Sequence, residues 1–537
     1  MNRTCLTVLA LINLLSCANS ERYPDKQIFY YNESAGVSSL DPAFANNLEN
    51  IWWVSQLYNG LVQMDSNLQV IPSIAESWDI SENGMTYTFH LKRDVSFHEN
   101  DLIPPDRFVN SKDFVYSFDR IVKGKIASPG LWIFDKLDTE RPYIALDDHT
   151  LQINLKRPFP PFLGMLSMPY CYVVPKEVVD HYGDEFRSHP VGTGPFRFNF
   201  WLENVSLALL KNEKYFEKDE NGIPLPYLDA VSVSFVPDKS TAFLDFLKGR
   251  YDMMSGVYKE YRNELLTSKG ELAEAYSNKI YLQRQAFLKT DYLGVRIKGD
   301  SIQGDPLQDY RIRKAMDLAL DKVQMVRYIK SNTAIPAQRG FVPPACFIQE
   351  KESSSKSAFD LDSAATLLKE AGYPQGKGIP EITLSSTSDY VELCEYVQFQ
   401  LGEIGLPVKV DILPTSAHRS GVSAGEIPFF RKSWIADYSD PENFLALFYS
   451  KNAAPKGANY THYSSAEFDR LFDLSMSEVD PIKRDSLYHI MNEIIQDEAP
   501  VIPLYYDMVM RFVHKNVTGL RSNAMNHLDL RYVRKSK

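Results

Sequence analysis

Cysteine is nearly absent from this chain, with five in 537 residues. No C-x-x-C spacing occurs, so neither a thiolate zinc site nor a dithiol redox centre has a sequence basis, and the fold must rest on ordinary core packing. Histidine numbers ten. His98 with Glu99, and the separate His189, stand apart from other metal-ligand residues, which is not a metal-site pattern. Positive charge is in deficit, at a net −11, and the short basic tail R-Y-V-R-K-S-K is too small to form the surface that nucleic-acid phosphates require. Nucleic acid is thereby excluded as a partner. Beyond the first twenty residues no apolar run approaches the ~20 residues of a spanning helix. A phosphate-cradling G-x-x-x-x-G-K-[ST] is missing as well. Linkers rich in Pro, Ser or Gly, low-complexity segments and internal repeats are all lacking. Domains joined without tethers are often interleaved, and several chain crossings between two lobes make a hinge that opens and closes around a ligand.

What is present describes a globular chain: 44% hydrophobic and 24% charged residues, long enough for two to four domains at roughly 150 residues each. Its start carries Arg3, an apolar run from Leu6 to Leu15, and then Leu14-Leu15-Ser16-Cys17. This resembles a bacterial lipoprotein signal, in which Cys17 would be lipidated and become the new N-terminus. A plain secretory signal cut after Ala18-Asn19-Ser20 competes with it. Either reading exports the chain. With Cys5 and Cys17 assigned to the leader, Cys171, Cys346 and Cys394 remain, enough for one disulfide plus a free thiol or for none.

Periodicity gives a mixed α/β order. Strands are expected over 27–40, 85–91, 151–155, 205–210, 381–385 and 408–413. Helices are expected over 47–61, 311–330, 361–371, 391–404, 465–478 and 481–497, with a further one opening at Ser111 as N-cap. Residues 431–444, R-K-S-W-I-A-D-Y-S-D-P-E-N-F, place Asp437 beside Trp434 and Tyr438 just after an apolar, strand-like run that also carries Arg431. If that run stays extended, Arg431 and Asp437 share a face with their ends roughly 20 Å apart. A cation and an anion facing one cleft match a zwitterion such as a short peptide. Seen alone, Asp437 reads more simply as a surface residue after a strand, with Asp440-Pro441 beginning a turn.

Spaced signatures weigh against the simpler reading. Y-N-G-L-V (58–62), I-P-S-I-A-E-S-W (71–78), M-T-Y-T-F-H-L (85–91), S-K-D-F-V-Y-S-F-D-R (111–120), V-G-T-G-P-F (191–196), R-I-R-K-A-M-D-L-A-L-D (311–321), A-T-L-L-K-E-A-G-Y (365–373), W-I-A-D-Y-S-D-P-E-N-F (434–444) and V-I-P-L-Y-Y (501–506) run in one order. Over nearly the whole mature chain it resembles the peptide-binding proteins of ABC importers, the peptide/nickel-type extracellular solute-binding proteins of family 5.

The resemblance implies an α/β, periplasmic-binding-protein-like fold of two lobes (type II, mixed sheets) with an extra inserted domain. Lobe I would comprise 21–65, 191–290 and 501–537, the insert 66–190, and the opposing lobe 291–500, after a leader over 1–20. It also implies a monomer without enzymatic activity or cofactor, anchored to a membrane through Cys17, whose partners are short peptides and an ABC permease with its ATPase. The peptide would lie extended between the lobes and pair like an added strand. Asp437 falls on the family position that meets the ligand's α-ammonium, and Arg431 on a cation that meets its C-terminal carboxylate. Lys330, in Y-I-K-S-N, is a possible second such cation, or else a solvated helix end. Trp434 either walls a side-chain pocket or is core.

Two departures accompany the match. A family histidine expected near Tyr390–Leu393 is missing, and the aromatic expected after Leu413 is replaced by P-T-S-A-H-R-S, where His418 is a possible substitute. Relatives also carry nickel chelates, haem, opines or oligosaccharides, and those ligands remain alternatives. From the enzyme class, G-V-S-A-G (421–425) fits a hydrolase nucleophile elbow at Ser423 in pattern only. The elbow needs a strand running directly into the glycine, whereas polar residues intervene and a loop is expected.

Overall fold

The computed structural model describes residues 26–105, 107–124, 126–297, 305–349 and 358–536. The leader, including Cys17, lies outside them.

Three larger sheets, with two more of two strands each, organise these residues. In the first, Ile28–Asn32 pairs in parallel with Ala230–Ser234, followed by the antiparallel strands Ser206–Lys211 and Phe196–Leu202. The second is antiparallel, ordered Ala75–Ile80, Thr86–Leu91, Thr150–Asn154 and Tyr143–Asp147. Seven strands make the third: Met253–Ser255, Val501–His514, Ile280–Val295, Phe429–Ile435, Ile382–Ser386 and Val408–Ile412 in that order, with Ala334–Pro336 also on Val501–His514. The long strands Ile280–Val295 and Val501–His514 pair along their length. Register shifts fall between Ala286 and Thr290 and between Asp291 and Tyr292. Bulges of this kind bend and twist a strand, so the ladder turns where it passes from one packed region to the next.

Each region has a reason in its side chains. Thr86–Leu91 alternates half-buried and buried residues and seats Tyr87, Phe89 and Leu91 inward. In the seven-stranded sheet Ile382–Ser386 and Val408–Ile412 are parallel. The helix Val391–Glu403 joins them and buries Leu393, Cys394, Val397 and Leu401, as a crossover connection requires. Tyr31, Trp52 and Trp53 form a buried aromatic cluster with ring separations of 5.6–6.5 Å. Burying such rings is worth several kcal/mol, on the order of 2–3 each.

Several expected elements sit differently. The helix over Ser111–Val122 is capped by Asn110, whose side chain accepts the Lys112 N–H in a capping box with Asp113; Ser111 is its first residue instead of its cap. The segment 311–330 is two helices, Tyr310–Ala319 and Lys322–Ile329, because Leu320 is extended and Asp321 starts a new cap. The first strand ends at Asn32. Residues 415–424 are a helix, with Gly425 left-handed at its C-cap (φ 71°). Ser423 is therefore in the last turn of a helix, with no strand entering the glycine before it, and the nucleophile-elbow geometry is not built. Cys171, Cys346 and Cys394 are all buried free thiols. Among the described residues no helix is long and apolar enough to cross a membrane, and no cluster of three or more His, Cys, Asp or Glu could hold a metal.

Candidate functional site

Phe429–Ile435 is flanked on one side only for most of its length. It pairs residue by residue with Lys289–Val295, but touches Ile382–Ser386 only where Ser385 meets Phe430. The Ala436 N–H donates to the Leu288 carbonyl at 2.9 Å. Even-numbered residues therefore turn their main-chain groups toward that partner, and the odd-numbered Ser433 and Ile435 turn theirs to the other edge. Among the described residues no strand covers that edge. An uncovered edge of this kind is a template for an added strand.

Asp437 lies just past this strand. Its N–H donates to Asn443 Oδ1 at 3.2 Å, and the same oxygen accepts the Trp434 indole N–H at 2.9 Å. Asn443 belongs to the short helix Glu442–Leu445, which follows the D-P turn, and is buried. Asp437 is exposed. Enough protein nevertheless surrounds it that burial pushes its carboxyl up to about 6, partly offset by a hydrogen bond from Asn443. Tyr170 and Tyr460 both feel its charge. Tyr170 comes from the 66–190 segment, as does Trp132, whose ring stacks on Tyr438 at 6.3 Å. Behind the turn, the Tyr438 hydroxyl donates to the buried Glu442 carboxylate. Burial pushes Glu442 up to about 7.

Arg431 sits in a different setting. Its guanidinium pairs with Asp291, which is fully buried, and lies 3.1 Å from the Tyr390 ring centroid. Lys289 bridges Asp291 at 3.4 Å and Asp507 at 2.7 Å, and Lys330 reaches Asp507 at 3.1 Å. Three cations thus face two carboxylates, and the network carries one uncompensated positive charge. Burial lowers Arg431 to about 10 and lowers Lys330 too, which Asp507 partly restores. Lys289 and Lys330 overcome the burial of Asp507 and hold its carboxyl below the usual range. Lys330 caps its helix, but its side chain is only 21% exposed and spoken for, so the solvated-helix-end reading does not hold.

Arg431 and Asp437 stand in different surroundings. The strand ends at Ile435, and the Ala436 N–H adds one further ladder bond. Asp437 has Asn443, Tyr170 and Tyr460 around it, whereas Arg431 has Asp291, Tyr390 and Tyr505. Trp434 is half-buried, packed against core with its indole N–H satisfied. His418 is buried, donates from Nε2 to the Ser385 carbonyl at 3.2 Å, and has its pKa lowered by burial. It is therefore not the free substitute considered for the missing histidine. Sequence reasoning missed Lys289, Asp291, Asp507, Tyr390 and Asn443. A charge inside an apolar strand, as in F-L-K-T-D-Y-L and V-I-P-L-Y-Y-D, was the available signal.

The chain is similar to known proteins in sequence and in overall fold. The dipeptide-binding protein of Escherichia coli (strain K12) is 27% identical over 482 residues, covering 86% of each chain. The structure of the ABC transporter-associated periplasmic binding protein DppA from Helicobacter pylori, in complex with the peptide STSA, superposes with a TM-score of 0.77. It is 28% identical and covers 96% of this chain and all of its own. HbpA2 from Haemophilus parasuis gives a TM-score of 0.81 at 23% identity, covering 95% of this chain and all of its own, which shows the shared fold. The sequence profile of the bacterial extracellular solute-binding proteins, family 5 (middle), matches residues 69–456, and the chain belongs to that family.

Proposed function

We propose that this protein captures short peptides outside the cytoplasm, in a cleft between lobes, and hands them to an ABC importer. As a member of a solute-binding family it binds its ligand without transforming it. The observation that carries the peptide reading is the free edge at Ser433 and Ile435 ending beside the carboxylate of Asp437. Main-chain pairing is blind to side chains, since every residue but proline offers the same donor and acceptor. A carboxylate at the end of that edge suits an α-ammonium through a charge-assisted hydrogen bond. The uncompensated positive charge of the network around Arg431 and Lys330 suits the opposite end of a zwitterion. Arg431 would meet the C-terminal carboxylate only by sharing its charge with Asp291, and Lys330 only by sharing with Asp507.

Lobe I over 21–65, 191–290 and 501–537, an insert over 66–190 and an opposing lobe over 291–500 are the division this reading uses. The paired strands Ile280–Val295 and Val501–His514 would be the crossings between lobes. Ligand would favour the closed form through contacts that the open form lacks. Anchoring through lipidated Cys17, and a monomeric state, belong to the same proposal.

Thermal shift tests it. Protein stripped by unfolding and refolding is heated with pooled tripeptides, and with the same pool N-acetylated. A ligand at ~100 times its dissociation constant stabilises by about 2.7 kcal/mol. The free pool should raise the midpoint and the acetylated pool should not; no shift with either would set the peptide reading aside.

A further inference from the structure

Lys432 is a half-buried lysine without a carboxylate. It sits on the uncovered strand between Arg431 and Ser433, and its Nζ lies 4.3 Å from the Tyr460 ring centroid. Among the described residues no ion pair or hydrogen bond of its side chain is found. Arg419, exposed on the helix Thr415–Ala424, is within electrostatic reach of both Lys432 and Tyr460 and likewise has no acidic partner among the described residues. This is the stretch where the sequence reads P-T-S-A-H-R-S in place of an aromatic. Burial, with Arg419 and Arg431 nearby, pushes the Lys432 ammonium down to about 8. Its cation is therefore held at a cost that a nearby anion would relieve.

The location ties this cluster to the ligand. Tyr460, against which Lys432 packs, feels Arg419 and also feels Asp437, so the cationic pair and the carboxylate at the end of the free edge share one neighbour. Lys432 and Trp434 share a strand face, and a peptide paired along that edge lays every second side chain on the same face.

Building on the peptide reading, we propose that Lys432 and Arg419, flanking Tyr460, form a subsite for a carboxylate side chain, so that the protein selects peptides carrying Glu or Asp near the N-terminal end. A ligand carboxylate there gains charge-assisted hydrogen bonds in a partly desolvated place, and a lysine side chain meets two like charges.

Calorimetric affinities for Ala-X-Ala and Ala-Ala-X, with X as Glu, Gln or Lys, test this on the full processed protein at low salt. In one of the two positions Glu should bind about tenfold more tightly than Gln, and Lys more weakly than either. In Lys432→Met and in Arg419→Met the Glu-to-Gln ratio should fall several-fold, and in the double variant it should approach one. Reading the ratio cancels any general loss of binding. Equal affinity for Glu and Gln peptides, or a preference that survives the double variant, overturns the subsite while leaving the peptide reading in place. No binding of any of these peptides would overturn both.

Discussion

Asn443 holds Asp437 and Trp434 with a single oxygen, accepting the main-chain N–H of the one and the indole N–H of the other. The first acidic residue beyond the free strand edge is thereby tied through its main chain to a buried helix turn.

Asn443→Ala would leave the Trp434 indole and the Asp437 amide without their acceptor. A lost acceptor for a buried donor costs about 1–3 kcal/mol, so the midpoint of denaturant unfolding should fall accordingly. Peptide affinity should fall with it, because Asp437 is no longer oriented.

Acid should release peptide. The Asp437 carboxyl is raised to about 6 in the folded protein, so it protonates as pH falls through that value and loses the charge that attracts an ammonium. Below about pH 6 the dissociation constant should climb toward tenfold per pH unit. Binding near pH 6 should also release protons, which calorimetry in buffers of different ionisation enthalpy would read. Asp437→Asn should flatten this dependence.

Glu442 predicts the opposite sign for stability. Burial raises its carboxyl from its ordinary value to about 7, so the folded state prefers the protonated form. The resulting destabilisation is fully present above about pH 7 and is relieved as pH falls toward the unfolded value. Glu442→Gln keeps an acceptor for the Tyr438 hydroxyl and removes the charge. It should raise the thermal midpoint at pH 8 and leave it nearly unchanged at pH 4.5.

The Arg431–Asp291 pair should be costly to break from one side. Asp291→Asn leaves a buried guanidinium without its counter-charge, and such losses run to about 3–5 kcal/mol. Arg431→Met with Asp291→Leu should recover much of that stability while changing which peptide lengths bind. If the single and double variants unfold alike, the pair carries no coupling.

Much of this was legible along the chain because it depends on local periodicity. Thr86–Leu91, Leu361–Glu370, Val391–Glu403 and Pro481–Glu498 fall where alternation or helical spacing places them. The helix Thr415–Ala424 was not, because its polar, glycine-containing run has weak helical preference. Asp437 stood out through its motif. The ion network did not, since Asp291, Arg431 and Asp507 come from three different strands of one sheet and only its order brings them together.

On the proposed function, Asp437 reads the α-ammonium of a peptide laid along the free edge. Calorimetry with one tripeptide and its N-acetyl derivative, on the natural protein and on Asp437→Asn, tests it most directly. Acetylation should cost the natural protein about a hundredfold in affinity, in line with 2–5 kcal/mol for a buried charged partner. In Asp437→Asn, both forms should bind with nearly the same weak affinity. An undiminished preference for the free amine in the variant would show that Asp437 does not read the ammonium.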